Sequence, residues 1–198
     1  MTWEPFLIFF VLGLFHGINP GMGWLLATAL GIQRKSRTAL AFSVVALIIG
    51  HALAIAFAIF GIGWLKLYIP INIIQYVTIA LLFSLGSYLL WRHWHPQWMN
   101  LNMGYTGVAL WSFLIATAHG AGLMLIPFLL GDEFEGVGVG VLLLAMHVLG
   151  YSLATTTASF FLYETLQLTT LKSSWINFDL IWAISLLLTG TIFLIFLI

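Results

Sequence analysis

A chain of 198 residues that is 62% hydrophobic and only 6% charged cannot cover a water-soluble globule, because soluble domains spend about 25% of their residues on charge. Its six Lys/Arg balance six Asp/Glu without a basic block, which excludes a nucleic-acid surface and points to an exterior that faces a lipid bilayer. The absence of cysteine excludes disulfide scaffolds, thiolate metal centres and thiol relays.

Met1-Thr2-Trp3-Glu4-Pro5 has no basic n-region, and no small-residue cleavage site follows at signal-peptide distance. The first apolar stretch therefore reads as a retained membrane helix. Six stretches are close to the length of about 20 apolar residues that a spanning helix needs: 6–32, 39–65, 71–91, 108–130, 137–163 and 180–198. The first, second and fifth are longer, which predicts tilt or a local break. Trp3, Trp64, Tyr68, Trp91, Trp94, Trp98, Tyr163 and Trp182 fall near the expected ends, where aromatic belts form.

Arg34, Lys35 and Arg37 lie in the first connection, Arg92 in the third and Lys172 in the fifth. Only Lys66 falls on the other side, with the acidic Asp132, Glu133 and Glu135. The positive-inside rule assigns the basic face to the cytoplasm and both termini to the outside of a cell (inner) membrane. Each half then holds three spans, residues 1–98 and 99–198, entering from opposite sides. The fold expected is an all-α integral membrane protein of six transmembrane helices, arranged as two inverted three-helix repeats in one membrane domain.

Two motif pairs support that division. The first span carries Phe15-His16-Gly17-Ile18-Asn19-Pro20-Gly21 and the fourth carries Ala118-His119-Gly120-Ala121-Gly122; the second has Gly50-His51 and the fifth Met146-His147. At about 1.5 Å per residue, all four histidines lie roughly 15–20 Å into a core of about 30 Å. A single such His is explained by an interhelical hydrogen bond. Four at one depth suggest a cavity, in which the dry setting favours neutral imidazoles able to take a metal or a proton. Asn19-Pro20-Gly21 is poor helix inside a long apolar span. Broken helices near the midplane mark transport sites, although a kink can also serve packing alone.

The run His16-Gly17-Ile18-Asn19-Pro20-Gly21-Met22-Gly23, the basic loop after it and His51 resemble the NicO-type nickel/cobalt efflux transporters. That family lies within a lysine-exporter-like grouping of three-plus-three helix transporters. The likeness covers residues 10–60 and, loosely, 112–130. It implies His16 as a metal ligand, Asn19 and Met22 at positions where the family has an acidic residue and a second His, and His51 as a polar contact. Both replacements remove donors that borderline divalent ions use.

Met22, Met124 and Met146 each stand near a histidine. Thioether with imidazole suits a softer ion such as Cu(I), while Met is also an ordinary gap-filler. Thr155, Thr156 and Thr157 either line a path or bond back within their helix. Arg92-His93-Trp94-His95 reads as a wet interfacial loop, and residues 131–136 lack calcium-loop spacing.

The leading expectation is a secondary transporter, not an enzyme. Its substrate is a transition-metal cation or another small ion or molecule, exchanged with protons and bound by His16, Asn19, His51, His119 and His147. Metal donors would come from His16, Met22, His51, His119 and His147. The expected partners are the bilayer, that substrate and further copies of the chain; no resident cofactor is identified. The alternatives are a b-type haem held by paired histidines, an intramembrane enzyme and an accessory subunit.

Overall fold

A computed structural model describes residues 3–91, 103–130, 137–165 and 178–197. Arg92, His93, Trp94, His95, Trp98, Asp132, Glu133, Glu135 and Lys172 lie outside the described residues. Among the described residues the regular structure is helical: α1 (Glu4–Ile18), α2 (Trp24–Gln33), α3 (Arg37–Leu65), α4 (Ile71–Trp91), α5 (Tyr105–Ala118), α6 (Ile126–Leu129), α7 (Val137–Thr165) and α8 (Phe178–Leu197). Short 3₁₀ turns, Pro20–Met22 and Leu123–Leu125, separate α1 from α2 and α5 from α6.

These apolar runs form helices because a helix satisfies its backbone polar groups internally, as lipid requires. Local signals set the ends. Pro5 sits in the first turn of α1, where its missing N–H costs nothing. The Ser36 hydroxyl accepts from the Ala39 N–H at 3.2 Å and caps α3.

The exposed face of α3 is apolar, unlike that of a soluble helix. Phe42, Val45, Ile49, Leu53, Phe57, Phe60 and Trp64 are exposed, whereas Ser43 and His51 are buried among apolar residues. The exposed residues recur every three or four positions, so they make one apolar stripe, compatible with contact with lipid. Among the described residues three helices, Arg37–Leu65, Ile71–Tyr88 and Val137–Thr165, are long and apolar enough to cross a membrane, and the pair Tyr105–Ala118 plus Leu123–Leu129, bent by 49°, brings the number to four if it is counted as one span. Of the three long stretches, the first has the expected break while the second and fifth run unbroken as α3 and α7, and the fourth is broken as well.

The helices pair across the two halves of the chain: α1 lies along α7, α3 along α5 and α4 along α8. Glycine permits the closest approaches. A methyl group at Gly13 would strike the His147 carbonyl, one at Gly150 the Phe10 carbonyl and one at Gly50 the Ala109 carbonyl. Gly13 and Gly17 form the small-x-x-x-small spacing that lets membrane helices meet backbone to backbone. The helices α3 and α7 are both 29 residues long, with Gly50 and Gly150 at the same position and His51 and Tyr151 at their midpoints.

The charged contacts of the described residues lie at the bundle's ends. Arg34 Nη2 donates to the Met103 carbonyl at 2.8 Å, with its guanidinium 5.1 Å from the centre of the Tyr105 ring. Arg37 and Glu164 pair nearby at 2.9 Å. Past the far end of α3, Lys66 Nζ donates to the Leu129 carbonyl at 2.7 Å.

Candidate functional site

The site is built around the gap between α1 and α2. Asn19 is extended, with ψ 119°, and Gly23 adopts φ 109°, a conformation that favours glycine. Asn19 Oδ1 accepts from the Gly21 N–H at 2.9 Å, the Met22 N–H donates to the Asn19 carbonyl at 2.9 Å, and the Trp24 indole N–H donates to the Ile18 carbonyl at 2.9 Å. Two carbonyls freed by the break are met from α7. The Tyr151 hydroxyl donates to the Met22 carbonyl at 2.9 Å and Thr155 Oγ1 to that of Gly17 at 3.4 Å, while Ser159 Oγ donates at 3.4 Å to that of Trp24, the first residue of α2. Positions 151, 155 and 159 fall on one stripe of α7, and His147 begins that stripe one turn earlier.

Three histidines meet beside the break. Ring centres are 5.0 Å apart for His16 and His147, 5.7 Å for His16 and His51, and 5.4 Å for His51 and His147. All three are buried, at 0%, 1% and 0% exposure for His16, His51 and His147. The Nε2 atoms of His51 and His147 are 3.2 Å apart, a hydrogen bond that needs one ring protonated at Nε2 and the other lone-paired there. His16 Nδ1–H donates to the Leu12 carbonyl at 2.6 Å, which leaves Nε2 as its lone-pair nitrogen.

Tyr151 covers one face of His51, with ring centres 3.8 Å apart and planes 3° from parallel. On the neighbouring turn, Ser112 Oγ donates to the Leu47 carbonyl at 2.8 Å. That carbonyl is one turn back from His51, whose buried Nδ1 has no hydrogen-bond partner among the described residues. The buried polar residues described here are His, Asn, Ser and Thr, without Asp or Glu. Among the described residues no three His, Cys, Asp or Glu side chains converge as ready-made metal ligands.

The remaining sequence candidates divide by position. His119 is buried at the end of α5, donates from Nδ1 to the Ile115 carbonyl at 3.0 Å and lies close enough to act electrostatically on His16. Asn19 uses its side-chain oxygen to hold the break. Met22 contributes its carbonyl to Tyr151, while its side chain packs in an apolar cluster with Leu26, Leu47 and Trp111. Met124 belongs to the same cluster, and Met146 packs against a second. Of the three threonines, Thr155 is buried and bonds across to α1, and Thr157 is exposed.

His119 follows the last residue of α5 as Asn19 follows that of α1, whereas His16 lies within α1. His51 is the middle residue of α3 and Tyr151 that of α7. Sequence reading missed Tyr151, Ser112 and Ser159. The available signal was the spacing His147, Tyr151, Thr155, Ser159 together with Gly13-x-x-x-Gly17.

Compared with known proteins, the chain matches no family model, no curated protein and no solved structure. Its functional reading rests on its own residues.

Proposed function

We propose that this chain is a secondary transporter whose substrate, a transition-metal cation, is exchanged for protons and bound by His16, His51 and His147 once their rings, which here do not converge as metal ligands, turn toward it. One observation carries the reading: three fully buried imidazoles in ring contact, beside a helix break whose carbonyls are satisfied from another helix. Inside a bilayer such groups are costly and serve a cavity or a path, and irregular backbone is tolerated where it borders one. A metal requires lone-paired imidazole nitrogens, so it competes with the proton that His51 and His147 share.

The proposal includes six spans, with α1–α2 and α5–α6 as broken ones, in two inverted repeats. It is supported by a packing scheme that exchange of the halves leaves unchanged: α1 on α7, α5 on α3, and α4 on α8. The equal lengths of α3 and α7, and the stacking of their midpoint residues, agree with a pseudo-two-fold axis between His51 and Tyr151. Arg34 and Arg37 gathered at one end favour a cytoplasmic assignment for that end and external termini in an inner membrane.

A bis-histidine haem is less well served. Its two imidazoles must stand on opposite faces of a macrocycle, whereas His51 and His147 are in direct contact and Tyr151 lies against His51.

The test is uptake and tolerance in a strain lacking the chain, across Ni, Co, Cu, Zn, Mn and oxyanion panels. One cation should depend on the intact chain and on His51. Indifference to every cation, or a response confined to an oxyanion, overturns the proposal.

A further inference from the structure

We infer that Tyr151, Thr155 and Ser159 form the gate between the imidazole site and the Glu164 end of the bundle, and that Tyr151 couples this gate to the site; this rests on the transport reading. The three hydroxyls run down α7 from His147, Tyr151 and Thr155 donating to carbonyls of the α1–α2 break and Ser159 to the Trp24 carbonyl in the first turn of α2. Thr28 closes the lower end, its Oγ1 donating to the Trp24 carbonyl at 2.9 Å and lying 3.3 Å from the Ser159 carbonyl. A cation leaving the imidazoles along this stripe must part these hydrogen bonds. Parting them exposes hydroxyl and carbonyl oxygens, the groups that replace water around a dehydrated ion.

Tyr151 has two contacts that make it the coupling residue. Its ring lies flat on His51 at 3.8 Å, and its hydroxyl holds the Met22 carbonyl at 2.9 Å. The Thr155 and Ser112 hydroxyls stand beside it, and the side chain is fully buried. When the His51 ring turns toward a cation, the stacked ring must shift, and the tie to the 3₁₀ turn at Pro20–Met22 loosens. Tyr151 is thus a positioning residue, acting on the break through one rigid ring.

The chain contains no cysteine, so a single Ser159→Cys reports on gate opening without background. Membrane vesicles with the Glu164 end outward are treated with a water-soluble thiol reagent, in the native background and with Tyr151→Phe, which keeps the ring and removes only the hydroxyl. Labelling should accelerate about fivefold with Tyr151→Phe, the effect of losing one hydrogen bond. It should accelerate similarly with His51→Ala, which removes the stacking partner. A lipid-facing Leu153→Cys should respond to neither. Equal labelling rates in the native and Tyr151→Phe backgrounds overturn the gate, and a native rate with His51→Ala overturns the coupling. If Tyr151→Phe fails to insert, Thr155→Val takes its place, with the same acceleration expected and an unchanged rate contradicting the gate. Labelling needs no flux. A gate that responds in a chain moving none of the panel cations removes the transport reading alone, and cation flux with unresponsive labelling removes the gate alone.

Discussion

The chain breaks two helices near their middles and finishes the two breaks differently. At the first, Asn19-Pro20-Gly21-Met22-Gly23, freed carbonyls are met by hydroxyls from α7, and the imidazoles of His16, His51 and His147 gather alongside. At the second, Gly120 turns with φ 72°, the Ala121 and Met124 N–H groups bond back to Ala116 and Gly120, and leucines from α4 and α8 press on the turn. Both bend the chain, and a buried imidazole, His16 or His119, stands at each, but only the first gathers hydroxyls and imidazoles from other helices in the bonds described. A break alone therefore marks no site in this molecule; what the opposite helix brings to it does.

The sharpest way to break this contrast is to remove imidazoles. His51→Ala or His147→Ala should cut cation flux in proteoliposomes about ten- to hundredfold, the scale of losing a charge-assisted contact, while His119→Ala at the second break costs less. Equal loss in all three at equal protein level would abolish the distinction.

The glycines should rank next, through stability. Gly13→Ala or Gly150→Ala drives a methyl into a facing carbonyl and should destabilise the purified protein by about 1–3 kcal/mol, read as a lower unfolding temperature in detergent. Gly61→Ala, which meets open space, should leave that temperature unchanged or raise it.

The two left-handed glycines sharpen the comparison itself. Gly23→Ala and Gly120→Ala should each lose about 1–2 kcal/mol from backbone strain. Only Gly23→Ala should also slow flux, because only its break adjoins the three rings of His16, His51 and His147. Flux lost equally with Gly120→Ala would make the second break functional too. The smallest effect belongs to the exposed pair at the bundle's end: Arg37→Gln or Glu164→Gln should change stability by less than about 1 kcal/mol.

Much of the architecture was legible because lipid imposes simple rules. A run such as 39–65 has one solution in hydrocarbon, and α3 spans Arg37–Leu65. Asn19-Pro20-Gly21 announced its own break. The histidines were legible as unusual, since ionisable side chains inside long apolar runs are rare, but their grouping was not. His16, His51 and His147 meet because Gly13 and Gly150 let α1 and α7 touch, and that register is a property of two surfaces rather than one string. Tyr151 stayed hidden for the same reason. Among nine Trp, six Tyr and sixteen Phe, one aromatic mid-helix reads as packing until its hydroxyl and its ring are placed together.

Histidine-selective nitrogen NMR of the isotope-labelled protein in lipid nanodiscs tests the central claim most directly, since the chain has only six histidines. Titrated with the cation that the uptake panel selects, the signals of His16, His51 and His147 should shift together at one stoichiometric equivalent. Shifts limited to His93 and His95, or no shift in the three buried rings at saturating cation, would contradict the account.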